Sequence, residues 1–374
     1  MISVPIMAGA VMRFPLGVLA QYIGRKNAAL VEMGMIFVAM CYGFFVVTSY
    51  SEMLAMGVLL GLAGASFGVA LSLGSGWFPA QYKGLAMGIA GAGNSGTVLA
   101  VLFAPPLAMK YGWQSVYGLA ALTMLLPILV MLIFAKEPPD RERHSLKELL
   151  KCLIEKDGWS FNLIYIITFG GFIGLANFLP TFFHDQFHVT KVQAGQLTML
   201  AAVMGSGIRI LGGYVSDRIG GINSLTAVFV VIIATMLFGA TLPALATTTI
   251  MFMLCFAALG AGNGALFQLV PLRWPTTTAV AGSMIGEIGA LGGAFIPNAM
   301  GLSKQYTGTF AYGFIAFAIL AVAVLIMLRI VQRKWTTSWV AKGGKALMNH
   351  PRRFMIQSAE EYEMLQRQGR FYGV

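Results

Sequence analysis

The 374 residues are 57% hydrophobic and only 10% charged, with a mean hydropathy of +0.77, whereas charged residues make up about a quarter of a soluble chain. This composition excludes a soluble enzyme. The net charge of +11 does not bring back a nucleic-acid binder, because the basic residues sit in loops and form no face interleaved with aromatics.

Stretches of about 20 apolar residues long enough to cross a bilayer fall at 4–22, 27–48, 53–75, 84–108 and 114–135. A charged segment, 136–160, follows. Six more lie at 161–183, 193–215, 223–243, 249–271, 278–302 and 310–331, and a polar tail runs from 333 to 374. The expected architecture is therefore all-α and membrane-embedded, with eleven spans. The first span begins at once, with no basic region or cleavage site before it, so no cleavable signal is expected.

Arg25, Lys26, Lys83, the run from Lys136 to Lys156, Arg218, Arg273 and the tail from Arg329 fall on one side of the spans, and only Lys110, Lys191 and Lys304 on the other. The positive-inside rule makes the rich side cytoplasmic, together with the central loop and the carboxyl tail. Trp335 and Trp339 in that tail suit the membrane interface, where the basic residues would meet anionic headgroups.

An internal repeat accounts for the odd number of spans. Gly9, Arg13, Gly17, Ile23 and Gly24 recur 196 positions later as Gly205, Arg209, Gly213, Ile219 and Gly220, and Gly84, Gly88 and Gly91 recur 198 positions later as Gly282, Gly286 and Gly289. Spans one to five thus pair with spans seven to eleven. The span at 161–183 has no partner, so the expected parent fold is two six-helix bundles with the first helix absent from this chain. A genuine eleven-span protein is the rival reading.

Arg13 lies 12 residues before Arg25, which at 1.5 Å per residue is roughly 18 Å along the helix and near mid-membrane. A guanidinium cannot deprotonate to escape burial, and its cost in hydrocarbon runs from about 2.5 kcal/mol to well above 10. Arg209 repeats the problem at the matching place. Two buried arginines across a repeat interface describe an anion site, since transporters built from repeats bind substrate near the midplane there. The alternative is neutralisation by carboxylates. Within the spans only Glu32 and Glu287 are available, and Glu287 alone cannot silence both arginines.

Glycines bracket each arginine at i−4 and i+4, which leaves room for close helix approach. The segment Gly91-Ala-Gly93-Asn94-Ser-Gly96 matches a dinucleotide fingerprint in letters only, because no strand precedes it. All four histidines lie outside the spans or at their edges. His184 and His188 have metal-like spacing but read as a solvated helix end, and the cysteines at 41, 152 and 255 are isolated. No cofactor, metal, catalytic centre or nucleic-acid partner is expected.

On these residues the chain resembles the nitrate/nitrite porter family of the major facilitator superfamily. The resemblance rests on Arg13 in Met12-Arg-Phe-Pro15, Arg209 in Gly207-Ile-Arg-Ile-Leu-Gly-Gly213, and two glycine-rich signature segments, Gly88 to Gly96 and Gly286 to Gly293. These segments contain Gly88, Gly91, Gly93, Gly286, Gly289 and Gly292. The resemblance implies that Arg13 and Arg209 clamp the anion, that Asn94 and Tyr165 donate hydrogen bonds, and that Phe67 and Phe169 close the pocket. One departure is Gln21, where the superfamily's loop motif has an acid; the second half keeps Asp217.

The function expected from the resemblance is transport of nitrate and nitrite across the inner membrane by alternating access, as an exchanger and a monomer in the bilayer. The alternatives are proton-coupled symport through a buried Glu287, and a chain that transports nothing and serves as a membrane scaffold or sensor subunit.

Overall fold

The structure is a computed structural model that describes residues 3–75, 77, 89–138, 154–274 and 278–346. Every regular element among these residues is helical. Helix α1 (Ser3–Ile23) turns at Gly24 into α2 (Arg25–Phe45), and α3 (Tyr50–Ser75) follows. A 3₁₀ turn (Ala92–Ser95) leads into α4 (Gly96–Tyr111), and α5 (Trp113–Phe134) ends the first half. The second half opens with one broken rod, in which α6 (Lys156–Tyr165), a π-helical turn (Ile166–Gly170) and α7 (Gly171–Phe187) run on without a loop. Then come α8 (Lys191–Ile219), α9 (Gly221–Gly239), α10 (Leu245–Arg273), α11 (Thr278–Thr307) and α12 (Ala311–Ser338).

The described residues thus make eleven helical rods, the number expected from hydropathy, and seven of them are long and apolar enough to cross a membrane. At 29 residues α8 and α10 are each roughly 43 Å long, which exceeds the hydrocarbon thickness and leaves polar ends outside it. The first-half span expected at 84–108 runs partly over residues outside the described set, Gly88 among them.

Two features of the second half depart from the sequence reading. The helix expected at 161 begins at Lys156, because its acidic first turn is held by partners. Arg273 donates through Nε to Asp157 Oδ2 at 2.8 Å and through Nη2 to Glu155 Oε2 at 2.7 Å, and Trp335 Nε1 donates to Asp157 Oδ1 at 3.1 Å. Trp335 is therefore no interfacial anchor. It is fully buried, with its ring 5.1 Å from Phe161 and 5.2 Å from Trp339. The segment expected as a polar tail begins within the packed structure, since α12 continues to Ser338 and a turn at Lys342–Gly344 lies on the start of α9.

The core is unevenly divided. The second half buries a continuous aromatic cluster that includes Phe178, Phe182, Phe252, Phe310 and Phe314, whereas the described first-half residues form small clusters such as Leu16 with Ile36. The halves meet along two seams. Helices α1 and α3 pack on α11, and α8 packs on α4 and the 92–95 turn.

Candidate functional site

Helix α8 carries Arg209 to the second seam. Its start is fixed by a reciprocal cap, in which Gln193 N–H donates to Thr190 Oγ1 at 3.2 Å and Thr190 N–H to Gln193 Oε1 at 3.0 Å. In mid-helix α8 crosses α10 backbone to backbone. A Cβ at Gly260 would run into the Gly205 carbonyl, and one at Gly264 into the Arg209 carbonyl. With no side chains between them, the two helices become one rigid support beneath the arginine.

The Arg209 side chain is 1% exposed. Its Nη2 donates to the Tyr165 hydroxyl at 3.5 Å, and its Cζ lies 6.0 Å from the ring centroids of both Phe169 and Phe267. Tyr165 and Phe169 are stacked, with centroids 4.7 Å apart and planes 8° from parallel, while Phe267 meets Tyr165 edge-on at 5.3 Å. The guanidinium is therefore set among aromatic rings, where cation–π attraction steadies the charge. On its remaining side stands the other half of the molecule, since a Cβ built on Gly91 would collide with the guanidinium.

The stacking of Tyr165 on Phe169 follows from the π-helical turn that separates them. A π turn is wider than an α turn and recurs at functional sites; here α11 makes room for it. Gly289 carries no side chain where a Cβ would strike the Tyr165 ring, and Gly292 lies directly against the Ile166 carbonyl. Gly286 of the same segment is buried one turn away, whereas Gly93, in the 92–95 turn, is exposed with open space around it.

Of the residues singled out from sequence, Arg209, Tyr165, Phe169, Gly91 and Gly289 come together at this point. Arg13 falls on α1, Phe67 on α3 and Asn94 in the 92–95 turn, but their side chains lie outside the described residues, and Gly88 lies outside them entirely. Glu287 is half-buried on α11, the helix against which α1 packs. The fingerprint-like segment Gly91–Gly96 is a 3₁₀ turn entering a helix, with no strand among the described residues. Phe267 was missed. The repeat offset held a signal for it, because it carries Phe67 onto positions 263 to 265, within one turn of Phe267.

Two helical halves that meet around a buried guanidinium, with bare backbone on one side and aromatic faces on the other, have the build of a membrane transporter. The sequence profile of the Major Facilitator Superfamily matches residues 1–297. The chain is 27% identical over 329 residues to the "Nitrite extrusion protein" of Bacillus subtilis (strain 168), covering 87% of this chain and 82% of that protein. It is 31% identical over 344 residues to the "Probable nitrate transporter NarT" of Staphylococcus carnosus, covering 89% and 86% respectively. Among solved structures it is similar to the human organic anion transporter MFSD10, with a TM-score of 0.71 at 16% identity over 87% of this chain and 83% of that one. The chain belongs to the Major Facilitator Superfamily and, within it, to the nitrate/nitrite porters.

Proposed function

We propose that this chain carries nitrate and nitrite across the cytoplasmic membrane by alternating access, exchanging one anion for the other at the seam between its halves. The observation that carries this reading is the Arg209 guanidinium, buried at 1% exposure, hydrogen-bonded to Tyr165 and resting on Gly91 of the opposite half. Arg209 supplies a planar fork of donors suited to a planar oxyanion, and Arg13 supplies its counterpart from α1. Tyr165 and Asn94 donate further hydrogen bonds, with Phe169 and Phe67 bounding the anion. The central loop and the carboxyl end lie on the cytoplasmic side, where the basic residues concentrate.

Exchange follows from the charge balance. Two like charges facing each other across a cleft resist its closure, and a bound anion screens them, so the loaded carrier crosses between states and the empty one does not. The test is counterflow in proteoliposomes. Labelled nitrate is expected to enter only when nitrite or nitrate is present inside; entry into anion-free vesicles driven by a pH gradient would replace exchange with proton symport. Arg209→Lys, which keeps the charge and loses the fork, should abolish saturable uptake.

A further inference from the structure

Buried hydroxyls on the helices of the second half mostly close onto their own backbone, as do several exposed amides. Thr198 donates to Ala194 O at 2.8 Å, Ser216 to Gly212 O at 2.6 Å and Ser224 to Gly220 O at 3.1 Å, and the amides of Asn177, Asn223 and Asn298 do the same four residues back. Ser206 and Asn263 break this habit, as do Asn162, Thr168 and the Gln268 side-chain carbonyl oxygen. Ser206 and Asn263 are 4% and 1% exposed, and neither the Ser206 hydroxyl nor either polar atom of the Asn263 amide has a partner among the described residues. Burying such groups without a partner is unfavourable, and Ser206 turns away from the kind of acceptor that Thr198, Ser216 and Ser224 use.

Their placement gives the reason. Ser206 is one turn from Arg209 on α8, the helix that packs on α4 and the 92–95 turn of the other half. Asn263 is one turn from Phe267 on α10, and Phe267 faces both the guanidinium and Tyr165. Its neighbour Gly264 touches the Arg209 carbonyl, which puts Asn263 level with the arginine. Thr168, the other hydroxyl lacking a partner among the described residues, differs in direction, because its methyl group lies against Gly262 on another side of α10.

We infer that Ser206 and Asn263 are further anion-binding residues of this site and set its preference between nitrate and nitrite. The inference rests on the anion-site reading of Arg209 given above. Nitrate presents three oxygens in a plane and nitrite two. The Arg209 fork and the Tyr165 hydroxyl serve two oxygens, and the Ser206 Oγ–H and Asn263 Nδ2–H₂ donors serve the third, which only nitrate has. A site that hydrogen-bonds an atom discriminates against the analogue that lacks it, because the site's own groups are then left unpaired.

The test is the ratio of nitrate to nitrite KM for the full chain in proteoliposomes. Ser206→Ala and Asn263→Ala should each raise the nitrate KM about ten-fold with kcat largely kept, leave the nitrite KM nearly unchanged, and so shift preference toward nitrite. Ser206→Thr, which restores a hydroxyl, should return the ratio to its starting value. If Ser206→Ala fails to fold, Ser206→Cys fills the same volume with a weak donor and carries the same test. An unchanged ratio in the Ser206 and Asn263 variants, or an equal shift in Thr168→Val, overturns the inference. Arg209→Lys separates the two readings. Saturable uptake persisting in that variant removes the anion site itself, whereas its loss alongside an unchanged ratio in Ser206→Ala and Asn263→Ala removes only this inference.

Discussion

The guanidinium of Arg209 rests directly on Gly91, so that a charge from the second half meets bare backbone of the first half at this point of the seam. A methyl group at position 91 has nowhere to go except into the arginine. Gly91→Ala should therefore push the guanidinium off its Tyr165 and aromatic contacts while leaving the helices intact. We expect nitrate KM to rise by about ten-fold or more, the order associated with a lost charged hydrogen bond, with a thermal midpoint close to that of the parent. Unchanged KM would mean that the seam opens freely around the extra methyl.

Gly289 plays the matching part on the other wall. Its missing side chain is what allows the Tyr165 ring to lie flat on Phe169 beside the π-helical turn. Gly289→Ala should displace the tyrosine and lower transport in both directions. A paired measurement of Tyr165→Phe distinguishes position from chemistry. That variant keeps the stack and loses only the hydroxyl, so it should cost roughly 0.5–1.5 kcal/mol of anion affinity, and Gly289→Ala should cost more.

The sequence made these residues legible to different degrees. Arg209 stood out because a charge in an apolar span needs an explanation, and the repeat offset doubled the signal by pairing it with Arg13. Glycine spacing pointed to close helix contacts but could not say what each glycine faces, since Gly91 against an arginine and Gly205 against Gly260 look alike in one dimension. Phe267, Ser206 and Asn263 were hidden for a related reason. An aromatic or small polar residue in a membrane helix is common, and only three-dimensional placement shows which hydroxyl has left its own backbone. Trp335 was misread because tryptophan near a helix end usually marks the interface, whereas here a buried carboxylate, Asp157, draws its indole inward.

That carboxylate ties three segments together. Asp157 accepts from Arg273 and from Trp335, and Lys334 Nζ stands 3.7 Å from Oδ1, so the start of α6 and the ends of α10 and α12 share one anion. Asp157→Ala leaves the Arg273 Nε–H and the indole without their acceptor, while Arg273 Nη2 keeps Glu155. Because the Arg273 side chain is about a quarter exposed, water recovers part of the loss, and we expect a destabilisation of about 1–3 kcal/mol. It should be read as a lower thermal midpoint in detergent with nitrate KM unaltered. A changed KM would connect this end of the molecule to the anion site.

The two loops that follow α1 and α8 are steadied by different means, and the difference is testable. In the first half, where Gln21 replaces the acid usual in the superfamily's loop motif, Glu137 reaches back from beyond α5. Its carboxylate accepts the backbone N–H groups of Arg25 and Lys26 at 2.7 and 2.9 Å, capping α2 from outside the helix. Glu137→Ala should cost about 0.5–2 kcal/mol, the usual worth of a lost helix cap, and Glu137→Gln, which keeps an acceptor, should cost less. In the second half the place beside Gly220 is taken by Gly343, whose carbonyl presses on the turn while Ala341 N–H donates to Lys345 O at 2.8 Å and Gly344 N–H to Ala341 O at 3.0 Å. Gly343 has φ +81°, and a Cβ there would also strike the Asn223 amide, so Gly343→Ala meets both strain and collision. The hook should lift off α9. Lys342 and Lys345 flank it and are already exposed, so brief trypsin treatment should cut the variant several-fold faster than the parent at these lysines, and equal rates would show that the hook holds without its glycine.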